Sequence, residues 1–320
     1  MPRQARLDFP GTLHHVICRG IEKRDIVTDD KDRDNFVERM GGVAEKTGTS
    51  IYAWALMRNH AHILLRSGLF GLSDFMRKLL TGYAISYNRR HSRHGYLFQN
   101  RYKSIVCEEE SYLLELVRYI HLNPMRVGVT KTLEELDAYP YSGHSAIIGK
   151  NRHKWQDCES VLELFGDKEG RAKKQYRIFI EEGIGQGHRP ELIGGGLIRS
   201  QGGWSQVMSM RRRKIAEKSD ERILGSGDFV EKIVAEAEKR QSRQLTGGTA
   251  LSKVEETIRE MCDKEGVKVT ELKGGGRRRQ ISRIRKRIAQ ELIESYGIPM
   301  AIVARETGVT TTAISKMMRR

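Results

Sequence analysis

Two apolar segments, Ser50 to Met57 (SIYAWALM) and His60 to Arg66 (HAHILLR), are separated only by Arg58-Asn59. A joint this short leaves no room for a crossover, so the segments must run as antiparallel neighbours. Whatever else the chain forms must be built around that pair. The second segment opens with two histidines flanking one small residue. Strand side chains alternate faces, so His60 and His62 project from one side and Ala61 from the other. Imidazoles about 7 Å apart along a strand can lean onto one metal ion. By itself a His-x-His strand is more often two ordinary polar residues on a solvated face, so the pattern needs company.

The flanking segments supply a topology. Leu13 to Arg19 (LHHVICR) reads as a buried strand. Asp29 to Lys46 reads as a helix with acidic residues at its start and Phe36, Val37, Met40 and Val43 at helical spacing. Leu72 to Arg90 is a long amphipathic helix carrying Phe75, Met76, Leu79, Leu80 and Tyr83 on one side. Lys103 to Cys107 gives a fourth strand and Ser111 to Leu122 a further helix. The order β-α-β-β-α-β plus a helix predicts an α+β fold. It is a ferredoxin-like βαββαβ domain with an antiparallel sheet, both crossing helices on one face, and the last helix free to cover the other.

That last helix carries a second polar set. Tyr119 and Asn123 stand four residues apart and share a helix face; Pro124 then ends the run. A phenol, an amide and two imidazoles are sufficient for metal-assisted nucleophilic attack on a phosphate. Spacing alone leaves two other tyrosines open. Tyr112 is one turn early, and Tyr102, between Arg101 and Lys103, could equally stack on a base.

Charge narrows the substrate. The 320 residues include 57 Lys and Arg against 41 Asp and Glu, a formal net charge of +16, and the pI is near 9.7. That excess suits a polyanion, and without an amphipathic anchor or lipidation motif nucleic acid is preferred to a membrane. No apolar run approaches the length of a span. MPRQARLDFPGT lacks the apolar stretch of a signal peptide, so the cytoplasm, in association with the nucleoid, is expected. Cys18, Cys107, Cys158 and Cys262 are scattered, without the spacing of a zinc knuckle or a disulfide framework. No Walker-type loop is present, so no nucleotide cofactor is expected.

The runs GTLHHVICRG, MRNHAHILL and GYLFQNRYKSIVCEEESYLLELVRYIHLNPMRVG, in that order, resemble the single-tyrosine HUH transposases. Within them the sequence is most similar to the REP-associated tyrosine transposase branch. The resemblance is dense over about residues 7 to 130. It implies that His60 and His62 are the metal pair, Tyr119 the catalytic nucleophile and Asn123 the third ligand of a Tyr-x-x-x-Asn motif. It further implies Mg²⁺ or Mn²⁺, although imidazole alone suits Zn²⁺ as well. The implied activity is cleavage of single-stranded DNA through a 5′-phosphotyrosine and rejoining of the strand, at REP-type hairpins. Two positions depart from the family pattern: Ala61 is smaller than usual, and Arg58 stands where proline is common, where it could add a phosphate contact. A replication-initiator or relaxase-like nicking enzyme would share the chemistry. A non-catalytic DNA-binding regulator or an RNA-binding module would not need Tyr119, and the aromatic code of an RNA recognition motif is not evident.

Three domains are expected: a catalytic domain over 1–150, a mixed extension of open role over 151–242, and a helical DNA-binding domain over 243–320. Residues 88–103 interleave Arg89, Arg90, Arg101 and Lys103 with Tyr96, Phe98 and Tyr102, the combination of a single-strand surface. In the extension, Gly194-Gly195-Gly196 and Gly202-Gly203-Trp204 follow no clear strand and make no nucleotide fingerprint. Arg277, Arg278 and Arg279 precede a basic amphipathic helix over Ile281 to Ser295. Met300 to Glu306, a turn at Thr307-Gly308-Val309, and Thr310 to Met318 then read as helix-turn-helix. Thr311, Thr312, Ser315, Lys316 and Arg319 would face duplex DNA. Single-stranded and hairpin DNA, plus duplex DNA through the tail, are the expected partners, for a monomer or homodimer.

Overall fold

The computed structural model describes residues 7–187, 189, 192, 220–243, 247–276, 278–296 and 298–318. The chain divides into two compact units, Met1–Glu231 and Lys232–Arg320. The glycine clusters at 194–196 and 202–203, and also Arg277 and Arg319, lie outside the described residues.

The first unit follows the expected order. Strand β1 (Leu13–Arg19), helix α1 (Asp30–Thr47), strands β2 (Ser50–Leu56) and β3 (His60–Arg66), helix α2 (Gly71–Arg90), strand β4 (Lys103–Cys107) and helix α3 (Glu109–His121) succeed one another. Helix α1 starts where Asp29 accepts a hydrogen bond from the Asp32 amide and stops at Gly48, which takes a left-handed φ of 65°. Helix α2 is capped from far away, since the carboxylate of Asp8 accepts from the amides of Leu72 and Ser73.

The sheet runs β2-β3-β1-β4-β5. Its first four strands are antiparallel in the ferredoxin-like order. The fifth, β5 (Ile223–Leu224), adds in parallel, with Val106 opposite Ile223 and Cys107 opposite Leu224. The sheet is therefore mixed, not purely antiparallel. A two-residue strand has no alternation long enough to be seen in sequence.

Each face of the sheet has its own apolar layer. Val16, Cys18, Ala61, Ile63 and Leu65 pack with Phe36, Met40, Phe75 and Leu79 of α1 and α2. Leu13, Leu64 and Ile105 pack on the other face with Leu116, Val117 and Ile120 of α3. A second set of helices thickens that layer: α4 (Asn123–Arg126), α5 (Leu133–Ala138), α6 (Gly143–Ile147), α7 (Glu159–Leu162) and α8 (Glu169–Glu182). Val161, Ala172, Tyr176 and Ile180, from the stretch with the weakest sequence signal, are fully buried against α3.

Tyr176 also organises a buried polar chain behind α3. Its hydroxyl lies 2.7 Å from His121 Nδ1 and 3.0 Å from His144 Nδ1. His144 Nε2 is 2.8 Å from Asp137, whose other oxygen accepts from Arg177 at 2.8 Å. Only glycine fits at 143, because a Cβ there would sit 2.9 Å from His121 Nε2 and 2.8 Å from Gln156 Nε2.

In the second unit, α10 (Gly247–Lys264), α11 (Val269–Lys273), α12 (Arg279–Gln290), α13 (Met300–Glu306) and α14 (Thr311–Met318) share one core; it follows α9 (Gly227–Arg243) in the chain. Val254, Ile258, Leu272, Ile284, Ile288, Val303 and Ile314 form that core. Arg285 is buried in it and donates to the carbonyls of Thr307, Gly276 and Leu272. The α13–α14 turn needs Gly308: its φ is +68°, and a Cβ would fall 1.8 Å from the Lys273 carbonyl oxygen.

Candidate active site

Strand β3 lies between β2 and β1, and its register fixes the two histidines. His62 lies opposite Ile17 of β1 and Ala55 of β2, and His60 lies opposite Arg19. Alternation puts His15, Arg19, His60 and His62 on the face covered by α3. The His60 and His62 ring centres are 5.3 Å apart, a separation that suits two imidazoles on one ion.

Both rings are held through Nδ1. The amide nitrogen of Asn59 donates to the Lys23 carbonyl at 3.1 Å, which turns Asn59 Oδ1 toward His60 Nδ1 at 2.6 Å. An amide oxygen only accepts, so His60 carries its proton on Nδ1 and keeps a lone pair on Nε2. His62 Nδ1 is 2.9 Å from His15 Nε2. Burial, then the charge of Arg19, lowers the His60 pKa to about 4. Burial first, then the neighbouring His15, His60, Arg19 and Arg126, puts His62 well below the ordinary histidine value. Both are neutral at pH 7, the form in which imidazole binds a cation.

Tyr119 comes down from α3 onto this pair. Its ring meets His62 edge-on at 5.9 Å and His15 at 6.1 Å. The guanidinium of Arg126 lies 4.8 Å from the Tyr119 ring centre, and its Nη1 donates to the Tyr119 carbonyl at 2.7 Å. Burial lowers the Arg126 pKa, and the phenol's charge works against that. Asn123 is buried, and its amide nitrogen donates to the Tyr119 carbonyl at 3.0 Å, so its amide oxygen is the atom that could meet a cation. His60, His62 and Tyr119 thus meet between β3 and α3, and Asn123 is tied to the Tyr119 backbone. Among the described residues no group of three His, Cys, Asp or Glu side chains is arranged around a cation. An ion here would rest on two imidazoles, an amide and the oxygens of its substrate.

The structure adds three residues that spacing did not single out. His15 touches His62, Arg19 stands across from His60, and Arg126 lies over Tyr119. Strand alternation could have flagged Arg19 and His15 once the β1–β3 register was known. Arg126 had no comparable sequence signal.

The expected DNA contacts are distributed unevenly. Arg89, Arg101 and Lys103 are exposed. Arg58 projects from the β2–β3 turn but pairs with Asp25 at 2.7 Å. Arg90 is engaged by Asp29 and Asp32 at 2.5 Å each. Tyr96 is 83% exposed and available for stacking, whereas Phe98 is buried in the α1–α2 layer and cannot serve as a platform. In the second unit Arg279, Thr311, Thr312 and Lys316 are exposed, while Arg278 pairs with Glu271 at 3.0 Å. The charge of α12 is partly spent internally, since Arg283 and Arg287 both pair with Glu265.

Residues 10–123 match the family described as transposase IS200 like. The match spans β1 through Asn123, so it takes in every residue of the His–His–Tyr–Asn set. Over these residues the chain is similar to that family, whose description is a transposase. No curated protein matches the sequence. Among solved structures, the chain is similar to one described as a REP-associated tyrosine transposase bound to a REP hairpin. That likeness has 15% identity, covers 49% of this chain and 90% of that one, and has a TM-score of 0.39.

Proposed function

We propose that the chain is a metal-dependent single-strand DNA transposase in which Tyr119 is the nucleophile. The observation carrying this reading is the Tyr119 ring set against His62, on a strand whose two imidazoles are neutral and hold Nδ1 away from the site. His60, His62 and the Asn123 oxygen would hold Mg²⁺ or Mn²⁺, which when bound supplies Lewis-acid polarisation of the scissile phosphate. Tyr119 Oη attacks phosphorus; the strand keeps its phosphate as a 5′-phosphotyrosine, and the 3′-oxygen leaves as a hydroxyl. The ester conserves the bond energy, so a second 3′-hydroxyl can reverse the reaction without a nucleotide cofactor. Arg126, beside the phenol, favours the phenolate and then faces the added phosphate charge. Tyr119 is only 4% exposed.

Hairpin DNA of the REP type is the proposed substrate, with Arg89, Arg101, Lys103 and Tyr96 as the single-strand surface. The α13–α14 pair would read duplex through Thr311, Thr312 and Lys316, with Arg279 and its basic neighbours on the phosphates. The test is incubation with single-stranded hairpin DNA and Mn²⁺, followed by a denaturing gel and peptide mapping. A DNA adduct on Tyr119 is expected. An adduct on Tyr112 or Tyr102 would refute the assigned geometry, and cut strands with no labelled tyrosine would mean that water is the nucleophile.

A further inference from the structure

We infer that His15 is a positioning residue that fixes the tautomer of His62, through a relay running from the Leu192 carbonyl to the face where a cation would sit. The inference rests on the metal reading above only for its last step. His15 Nδ1 lies 3.2 Å from the carbonyl oxygen of Leu192, which is 177 residues further along the chain. A carbonyl oxygen can only accept, so His15 Nδ1 carries a proton. His15 is fully buried, where the neutral ring is the lower-energy form. A neutral imidazole has one N–H, so His15 Nε2 is an acceptor.

That nitrogen is 2.9 Å from His62 Nδ1, with the two rings stacked at 5.1 Å and 28°. His62 Nδ1 must then be the donor. The remaining nitrogen of His62, Nε2, is left with its lone pair, in a ring whose centre is 5.9 Å from that of Tyr119 and 5.3 Å from that of His60. Each histidine of the pair is thus set by a different device. His60 is set by the amide of its neighbour Asn59, and His62 by a second histidine backed by a carbonyl from far downstream. Leu192, which lies beyond α8 in the chain, is buried in the α3 layer.

The test has one readout that needs no metal. Long-range proton–nitrogen spectra of the full chain, with labelled histidine and no added metal, report which ring nitrogen of each histidine is protonated. His15 and His62 are both expected in the Nδ1–H form. Calorimetric titration with Mn²⁺ is the second readout. Loss of an outer partner of a metal-binding histidine typically costs about 10–100-fold in metal affinity, and His15→Phe should fall in that range. His15→Gln, whose side-chain oxygen falls near the lost Nε2 and accepts the same proton, should recover most of it. A wild-type His62 protonated on Nε2, or a His15→Phe chain that binds Mn²⁺ as tightly as wild type, would overturn the inference. A wild-type chain that shows the Nδ1–H form but binds no Mn²⁺ would sink the metal reading and uphold the relay. If His15→Phe does not fold, the wild-type spectrum decides alone.

Discussion

Arg126 is the side chain whose removal most cleanly separates chemistry from binding. Its guanidinium lies 4.8 Å from the Tyr119 ring centre. Arg126→Met keeps the length and loses the charge, so the phenolate becomes harder to form. Adduct formation should slow by about tenfold or more at neutral pH, one ordinary unit of phenol pKa, and recover as pH rises. Single-strand affinity should change little. An unchanged pH profile of adduct yield would remove Arg126 from the mechanism. Tyr119→Phe keeps the ring and its packing, and should abolish the adduct with little change in melting temperature or hairpin affinity.

His14 makes a different prediction at the same scale. It is fully buried, neither ring nitrogen has a hydrogen-bond partner among the described residues, and burial lowers its pKa to about 4 against the opposing pull of Asp8. The unfolded chain takes up this proton near pH 6.5 and the folded one only near pH 4. Stability is therefore fully present above about 6.5 and is lost as pH falls toward 4, by on the order of 3 kcal/mol from this group. His14→Leu should flatten that slope in urea melts at pH 7.5 and 4.5. His14 and His15 also show where sequence reading ends. Adjacent strand residues face opposite ways, and only the pairing of β1 with β3 reveals that His15, not His14, meets His62.

At the level of elements, legibility followed length and periodicity. Strand β3 and the helices α1, α2 and α3 could be read because 7 to 20 residues show an apolar period. Helices α5, α6 and α7, of 4 to 6 residues, complete barely one turn or two, so no face repeats. The α13–α14 pair was readable from Pro299 and Gly308, which punctuate its ends. The basic run before it was less so, because Arg285 is a core residue despite its charge. Arg285→Met should leave three carbonyls without their donor, at about 1–3 kcal/mol each. Amide exchange at Ile284 and Ile288 should accelerate strongly while that at Ile63 and Leu64 stays slow. Lys316→Ala, on the exposed side of α14, should instead leave exchange alone and lower the salt slope of duplex affinity by about one phosphate's share. A deletion from 274 onward is the wrong test of this unit, since it would strip Val254, Ile258 and Leu272 of their packing partners.

Across the whole molecule, the net charge of +16 predicts that binding of any DNA weakens steeply with salt. The first unit has another global property, in the last strand of its sheet. Val106 and Cys107 wait for Ile223 and Leu224, which are synthesised only after all of α4 to α8. At about 5–20 residues per second, a nascent chain spends several seconds with the outer edge of β4 unpaired. Such an edge is a template for another copy of the same strand. Two shortened chains would show the cost: one stopped after residue 219 should partition into the pellet on expression, while one stopped after 243 should not. The late strand thus sets a time window in which the newborn protein must be kept from its neighbours, whatever the stability of the finished fold.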